Sequence, residues 1–336
     1  MDKYKLVIFG DTWDVYQTAY QELIENPKVV YIPTFRPKGF KGLLQRIQFN
    51  PKLNAVIKIP GKQRWNPCYL RQVKEEKVCF LVMNHWLRME SGIQLFPFLR
   101  SHYPESRIVC FTQDLMETII DHYTHRPFDV QHVKKYVDLF ISYDPNDAQR
   151  HQVEYHPTVF STVTMDANEE TDGYDLYFLG RDKGRMRTLV AIAQEAKRRG
   201  LKCKFIMLQV PDTKKVECEG IEYVDAPLSY KENLRNGMKS KCIIEMLQKK
   251  AASPTFRTWE AISSNKKLLT DNVSIRETEW YDERYISVFN DETNIDWDFI
   301  ASEQPFPQGN PYQARIRPES LVRFMEDKLN IQIDRA

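Results

Sequence analysis

The chain of 336 residues is long enough for two domains, and its 42% hydrophobic and 28% charged residues are typical of an ordinary globular protein. The formal net charge of +2 gives no reason to expect general affinity for nucleic acid. The six cysteines lack the close pairs of zinc or redox sites, which favours a reducing compartment. Without a signal-peptide pattern or an apolar run of about 20 residues, the sequence predicts a cytoplasmic protein.

Short apolar runs alternate with helical stretches in the first half of the chain. The runs are rich in β-branched residues and end in turn or polar residues, which is typical of strands buried on both faces. They span residues 4–10, 28–33, 54–60, 78–84, 107–113 and 138–144. Helices are predicted between several of them, at 13–25, 91–102 and 129–137. This alternation predicts parallel strands joined by crossover helices.

A polar, acidic segment at 161–173 interrupts the alternation and is predicted to be a linker. Beyond it, the alternation resumes, with strands predicted at 174–180, 203–208, 221–227, 241–247, 266–272 and 285–290 and helices at 185–199 and 318–329. The sequence therefore predicts one α/β domain at 1–160, a second at 174–317 and a C-terminal helix within 318–336. Ligands of such sheets lie beyond the carboxyl ends of the strands, so the cleft between two such domains is the expected site.

A basic turn joins the first strand of the second domain to the helix that follows. The segment FLGRDKGR, residues 178–185, contains two glycines that permit a close turn, and its cations precede a helix N-terminus. The candidate anion-binding residues here are Gly180, Arg181, Lys183 and Arg185. A diphosphate would suit this turn, although a solvated structural turn would have the same pattern. The segment has neither the P-loop pattern nor the three-glycine dinucleotide pattern.

A second candidate lies in SPTFRTWEAISSNKKLLTDN, residues 253–272. Ser253 or Thr255 would be the N-cap of a helix there, with Thr255 the better choice, and the free N–H groups of its first turn would again face an anion. Glu260, one turn further, is placed to accept hydrogen bonds from a ribose diol. Alternatively, Arg257 and Glu260 form an ordinary surface ion pair, which contributes only about 0.2–0.5 kcal/mol.

These two segments together resemble the nucleotide-sugar-binding domain of GT-B glycosyltransferases, especially bacterial enzymes of capsule and lipopolysaccharide synthesis. The pattern R-x-x-E-A, followed by K-L-L-T-x-N, is carried here by Arg257, Glu260, Ala261 and residues 267–272. The resemblance covers about half the chain. It implies an α/β fold of two Rossmann-like domains facing across a cleft, with the first domain binding the acceptor.

The resemblance also implies roles for the two segments. Glu260 would bind the nucleotide ribose, while Thr255 and Arg257, with Arg181 or Lys183, would hold the diphosphate. The developing charge of a nucleoside diphosphate leaving group would be stabilised by these donors without a metal. Neither a cofactor nor a bound metal is therefore expected, and the D-x-D pattern at 296–298 is discounted because it lies in a loop-like region near the C-terminus.

An inverting transferase needs a general base at the carboxyl end of a strand in the first domain. We rank Asp114 first, Asp11 second and His85 third. The alternative for both aspartates is an N-cap of the following helix, and for His85 a partly buried structural imidazole. A retaining enzyme would not use a base in this way.

The sequence thus predicts a metal-independent hexosyltransferase that moves a sugar from a nucleotide-sugar donor to a surface glycan of the capsule, lipopolysaccharide or O-antigen type. A nucleotide-sugar 2-epimerase of the same fold and a non-catalytic protein binding sugar nucleotides or glycans remain alternatives. A lipid-linked oligosaccharide acceptor would favour peripheral membrane contact through residues 35–46, where cations alternate with apolar residues. The same pattern also fits an ordinary amphipathic helix or loop over the acceptor cleft.

Overall fold

A computed structural model of the protein describes residues 3–34, 37–57, 59–163, 173–226, 228–247, 254–303 and 306–335. The chain forms two compact units. The first contains Met1–Val159 and Pro318–Ala336, and the second contains Phe160–Arg317. Most of the predicted linker, residues 164–172, lies outside the described part of the chain. Within that part, no helix is both long and apolar enough to span a bilayer.

The first unit is built on a parallel sheet whose strands are buried by apolar side chains on both faces. Before the second unit begins, the described residues contribute the strands β1 (Lys3–Phe9), β2 (Val30–Ile32), β3 (Val78–Met83), β4 (Arg107–Thr112), β5 (Leu139–Ser142) and β6 (Glu154–Tyr155). Their order is β2-β1-β3-β4-β5-β6. The chain therefore reverses its direction of winding between β1 and β3, which is the position where such sheets bind ligands.

Short helices connect these strands. They are α1 (Asp14–Ala19), α2 (Gln21–Ile24), α3 (Gly39–Gln48), α4 (Pro51–Val56), α5 (Asn66–Leu70), α6 (Asn84–Leu87), α7 (Glu90–Ile93), α8 (Leu95–His102), α9 (Val130–Lys134) and α10 (Pro145–His151). Two 3₁₀ turns lie at Lys62–Trp65 and Met116–Thr118.

The predicted strand at 54–60 is wrong, because this part of the chain begins with helix α4. The side chain of Asn50 accepts hydrogen bonds from the amides of Lys52 and Leu53, and Pro51 occupies the first helical turn. An N-cap asparagine followed by proline is a helix-start signal. That signal outweighs the apolar run on which the strand was predicted.

The second unit repeats the architecture with a different strand order. Its described strands are β7 (Tyr174–Arg181), β8 (Cys203–Leu208), β9 (Ile221–Val224), β10 (Ser240–Glu245), β11 (Lys267–Thr270) and β12 (Ile286–Val288). All pair in parallel in the order β12-β11-β10-β7-β8-β9, which is the Rossmann order. Winding reverses between β7 and β10, so the loops after these two strands lie at the ligand-binding position of the fold.

The helices of the second unit are α11 (Met186–Arg198), α12 (Tyr230–Met238), α13 (Phe256–Ser263), α14 (Trp297–Ala301) and α15 (Gln313–Ile316), with 3₁₀ turns at Asp212–Lys214 and Val273–Glu277. Helix α11 buries Leu189, Ile192, Ala193 and Ala196 against the sheet. This spacing places one apolar face on the core, as expected for an amphipathic helix.

The end of the chain returns to the first unit as α16 (Pro318–Leu329) and β13 (Gln332–Ile333). Strand β13 extends the first sheet by pairing in parallel with β1. Ion pairs at the surface attach this segment to the rest of the unit, and Nζ of Lys28 lies 3.1 Å from Oδ1 of Asp334. Lys328 similarly lies 2.7 Å from Glu154.

Candidate functional site

The turn after β7 places a cluster of cations at the point where winding of the second sheet reverses. Its backbone is left-handed at Lys183 and Gly184, with φ of 42° and 84°. The carboxylate of Asp182 accepts a hydrogen bond of 3.0 Å from the amide of Met186, the first residue of α11. Arg185 is the N-cap residue of α11, so its side chain leaves the backbone at the helix N-terminus.

Arg185 and Arg257 share the same aromatic platform. Their guanidinium carbons lie 5.9 and 5.6 Å from the ring centroid of Phe178. Gly180 leaves room for this arrangement, since a Cβ there would lie 2.9 Å from Cζ of Phe178 and 3.5 Å from a guanidinium nitrogen of Arg185. The glycine therefore keeps both the ring and a cation in place.

Neither arginine forms an ion pair with any residue in the described ranges. Arg257 donates instead to the carbonyl oxygen of Leu179. The Nε atom of Arg185 is buried and has no hydrogen-bond partner among the described residues. Burial lowers the pKa of Arg185, and the nearby charge of Arg257 lowers it further. The charges of Asp271 and Asp182 offset this shift only in part. Two cations held close without an ion pair form a site that an anion would stabilise.

The N-terminus of α13 is held by a buried carboxylate that sequence analysis did not identify. Thr255 is the N-cap, as predicted, and its hydroxyl accepts a hydrogen bond from the amide of Arg257. Glu245, at the end of β10, accepts hydrogen bonds from the amide and hydroxyl of Thr255 at 3.1 and 2.6 Å. It also accepts from the hydroxyls of Thr258 and Thr270. Glu245 thus joins β10, β11 and the start of α13.

Glu260 lies on the buried face of α13 and does not pair with Arg257. Its carboxylate accepts a hydrogen bond of 2.6 Å from the hydroxyl of Tyr230 and one of 3.4 Å from the amide of Asn233. Burial raises its pKa, while the charge of Arg257 and the Tyr230 hydrogen bond lower it. The alternative of a surface ion pair between Arg257 and Glu260 is therefore wrong.

The remaining predicted donor residues lie on the surface of the same turn. Arg181, the last residue of β7, and Lys183 are exposed. Burial, followed by the charges of Arg185 and Arg181, lowers the pKa of Lys183. Their positive charges add to the field around the half-buried pair Arg185 and Arg257, as expected for an anion-binding turn.

In the first unit, Asp114 follows β4 and faces two polar side chains. Its Oδ2 atom accepts hydrogen bonds of 2.9 Å from Asn84 and 3.3 Å from Arg88. Burial raises its pKa, whereas the charge of Arg88 lowers it. Asp114 does not cap the 3₁₀ turn that follows, because the amide of Met116 donates to Asp147 instead. Asn84 and Arg88 were not identified from sequence, and the signal that could have pointed to them is their position shortly after the end of β3.

Asp11 and His85 follow the strands on either side of the winding reversal in the first sheet. The buried Asp11 accepts a hydrogen bond of 3.0 Å from the amide of Trp13, within its own loop. Its charge helps to raise the pKa of Asp114, which places the two carboxylates in one electrostatic environment. His85 is partly exposed, and its ring centroid lies 6.3 Å from that of His122. The first unit therefore has candidate proton acceptors where its sheet can bind a ligand.

The described residues contain no group of three or more His, Cys, Asp or Glu side chains arranged to hold a metal ion. In the discounted D-x-D pattern, Asp296 caps α14 by accepting a hydrogen bond of 2.9 Å from the amide of Phe299. Its carboxylate thus has a structural role at a helix N-terminus.

Two parallel-sheet α/β units are the architecture of GT-B proteins, and solved structures of this kind align with almost the whole chain. No protein-family model matches the chain, and no curated protein matches its sequence significantly. An α-glucosyltransferase in complex with UDP and a 13-mer DNA containing a central A:G mismatch is 11% identical, with a TM-score of 0.58. That alignment covers 96% of this chain and 98% of the other.

Two further structures align over similar lengths. A UDP-forming α,α-trehalose-phosphate synthase from Burkholderia vietnamiensis is 11% identical, covers 97% of this chain and 94% of its own, and has a TM-score of 0.50. The MnaA–UDP co-structure from S. aureus is 15% identical, covers 98% of both chains, and has a TM-score of 0.50. At these identities the similarity establishes the fold, and the prediction of two GT-B-type α/β domains is confirmed.

Proposed function

We propose that the protein is a glycosyltransferase that uses a nucleoside-diphosphate sugar as donor. The observation that carries this proposal is the pair Arg185 and Arg257, which forms no ion pair with any described residue and lies near the buried carboxylate of Glu260. A diphosphate needs cations, and a ribose diol needs a carboxylate acceptor. Solved structures of the same fold contain UDP, so a uridine diphosphate sugar is the first donor to test.

In this proposal, Glu260 accepts hydrogen bonds from the ribose, and the diphosphate lies against Arg185, Arg257 and the Thr255 end of α13. Gly180 provides the room, while Arg181 and Lys183 add positive charge from the surface. When the glycosidic bond to phosphate breaks, negative charge develops on the leaving oxygen. Preorganised cations and helix N–H groups stabilise that charge, so the step does not require a metal ion.

The acceptor would be bound by the first unit, with Asp114 as the general base that removes the proton of the acceptor hydroxyl. Its raised pKa brings this carboxylate closer to the value that a base needs near neutral pH. Asp11 and His85 are the second and third candidates for the same role. From the sequence resemblance, we propose a hexose donor and a bacterial surface glycan as acceptor, either free or lipid-linked, and a cytoplasmic location with peripheral membrane contact.

The direct test is calorimetric binding of UDP, and of a panel of nucleotide sugars, to the wild-type protein and to Glu260→Ala. We expect binding of UDP by the wild type and at least about tenfold weaker binding by the variant, because a charge-assisted hydrogen bond contributes about 1.5–3 kcal/mol. Glu222→Ala, an exposed glutamate on β9, is the matched control and should bind normally. Equal affinity of Glu260→Ala and wild type would disprove the ribose role.

Turnover separates transfer from the other functions that this fold allows. We expect donor consumption to depend on a glycan acceptor and to yield a new glycosidic bond. Formation of an epimerised sugar without acceptor would contradict transfer. Tight nucleotide binding without turnover, unchanged by Asp114→Ala, would identify a binding protein instead.

A further inference from the structure

Helix α3 exposes its apolar face to solvent. Its large apolar residues follow the i, i+3, i+4, i+7 spacing of one helix face, which normally packs on a core. Here the exposed fractions are 73% for Phe40, 54% for Leu43, 40% for Leu44 and 46% for Ile47. The protein therefore leaves a complete apolar stripe uncovered.

The opposite face of α3 is the one that packs on the first unit, and it is polar. Gln45 is buried and donates a hydrogen bond of 2.8 Å to the hydroxyl of Tyr69. Gln48 accepts a hydrogen bond from the indole of Trp65. Packing within the unit thus explains the polar residues of α3 and leaves the apolar ones without a partner in the described structure.

Helix α4 and the residue that follows it also expose apolar side chains to solvent. Leu53, Val56 and Ile57 are 41%, 84% and 62% exposed, while Asn54 turns inward and donates to the carbonyl oxygen of Gln48. We call the seven exposed residues from Phe40 to Ile57 the α3–α4 face. Seven of the twelve large apolar residues that are exposed in the described ranges belong to this face. Such concentration marks an interaction surface rather than scattered surface residues.

Charge around the face has one sign. Between Asn26 and Lys74 the sequence contains eleven lysines and arginines but no aspartate or glutamate, although the whole chain is nearly balanced. Lys38, Lys41, Arg46 and Lys52 are exposed beside the apolar residues. The partner of this surface should therefore be apolar in its interior and negatively charged at its boundary.

We propose that the α3–α4 face binds the surface of a bilayer containing anionic lipid. The aliphatic and aromatic side chains would enter the boundary between headgroups and acyl chains, and the cations would contact phosphate groups. A second copy of the chain fits less well, because a two-fold interface would bring these cations together. Nucleic acid also fits less well, since its interfaces are dominated by polar and charged contacts.

This inference deepens the proposed function, since a lipid-linked acceptor would be met at such a surface, but the binding itself involves neither donor nor sugar. Its failure can therefore be distinguished from failure of the transferase proposal. UDP binding by the second unit would be unaffected if the membrane proposal were wrong. Conversely, Glu260→Ala would still bind vesicles even if this variant no longer bound UDP.

The test is cosedimentation of the full chain with vesicles of phosphatidylcholine alone or with about one third phosphatidylglycerol. We expect binding to the anionic vesicles, weakened by added salt. Phe40→Gln with Leu43→Gln should reduce the partition coefficient at least about 100-fold, because two buried apolar side chains contribute about 1.5–3 kcal/mol each. Lys41→Gln with Arg46→Gln should reduce it about 30-fold, since each cation near such a surface contributes about 1 kcal/mol.

Matched controls come from exposed residues of the second unit. Val273→Gln and the pair Lys214→Gln with Lys231→Gln remove comparable groups outside the face and should bind like the wild type. Equal binding by the wild type and both face variants would overturn the proposal. So would a dimer in analytical ultracentrifugation that Phe40→Gln with Leu43→Gln abolishes, or binding to duplex DNA but not to anionic vesicles.

Discussion

The carboxyl ends of the two sheets have opposite electrostatic character. In the first unit, the carboxylates Asp11 and Asp114 share one environment, and Arg88 partly balances them. In the second, Arg185 and Arg257 lie together without an ion pair to any described residue. The acids of that region, Glu245 and Glu260, instead accept hydrogen bonds from hydroxyl and amide groups.

If the proposed function is correct, this contrast explains how one architecture supports two tasks. Both sheets are parallel and both reverse their winding at the ligand-binding position. In the proposed function, the residues that follow the strands determine whether this position accepts a proton from a hydroxyl group or binds an anion. If the proposed function is correct, variants in the first unit should change the rate of transfer, and variants in the second should change donor affinity.

The largest expected effect is that of Asp114→Asn on the rate. Loss of a general base should lower kcat by about 10²- to 10⁴-fold and leave the UDP dissociation constant unchanged. Because burial raises the pKa of Asp114, the wild-type rate should fall with decreasing pH at a higher pH than for an ordinary aspartate. Kinetics of transfer against pH, with calorimetry of UDP, provide the measurement.

Asp129→Asn is the control for this variant, because Asp129 caps α9 in the same unit and asparagine also caps helices. A normal rate for Asp114→Asn would transfer the role of base to Asp11 or His85. The corresponding single variants of those residues would then be compared.

Arg257→Ala should have the next largest effect, on donor affinity. Removing one of two cations that would contact the diphosphate should weaken UDP binding by about 10- to 100-fold, because charge-assisted hydrogen bonds contribute about 1.5–3 kcal/mol. Arg187→Ala removes an exposed cation near the same turn and should have little effect. Calorimetry measures the UDP affinity of both variants. Equal losses of affinity in Arg257→Ala and Arg187→Ala would contradict the anion site.

Glu245→Gln should have a smaller effect that combines stability and binding. An amide cannot accept all the hydrogen bonds that this carboxylate accepts from Thr255, Thr258 and Thr270, so we expect about 1–3 kcal/mol lower stability. Because the start of α13 would be less well held, UDP should also bind severalfold more weakly. Chemical denaturation measures the stability and calorimetry the UDP affinity, with Glu222→Gln as the control. A change in stability alone would mean that Glu245 has a purely structural role.

The smallest expected effect is on the pH dependence of stability, and it comes from Glu90, a buried carboxylate of the first unit. Burial raises the pKa of Glu90 to about 8, against two hydrogen bonds from the amides of Leu95 and Phe96 that lower it. The folded state therefore keeps a proton that the unfolded state loses, so stability falls as pH rises toward and through 8. Between pH 7 and pH 9 the free energy of unfolding should fall by about 1 kcal/mol more than in Glu90→Gln. Denaturation at both pH values measures this difference.

Strands and helices with strong local signals were predicted well from sequence. The helix from Pro318 to Leu329 has its predicted bounds, because a proline in the first turn marks its start. The strand at 203–208 is also unchanged, since an apolar run between a glycine-ended helix and a turn has few alternatives. The error at 54–60 arose where a capping signal and an apolar run disagreed.

The site was predictable only as far as local sequence determines it. The sequence could place Arg257 and Glu260 on one helix with Thr255 as its cap. It could not show that Glu260 faces Tyr230, because that contact depends on how α12 and α13 pack. Likewise, the four hydrogen bonds of Glu245 join segments up to 25 residues away, which no local pattern encodes.

The return of α16 and β13 to the first unit has a consequence for biosynthesis. These residues complete the first sheet beside β1, yet they are translated only after the entire second unit. During synthesis, Lys3 and Tyr4 of β1 therefore lack the neighbouring strand β13 until the second unit, about 160 residues, has emerged from the ribosome. Arrested nascent chains ending near Arg317 should accordingly be more sensitive to protease in the first unit than the released protein.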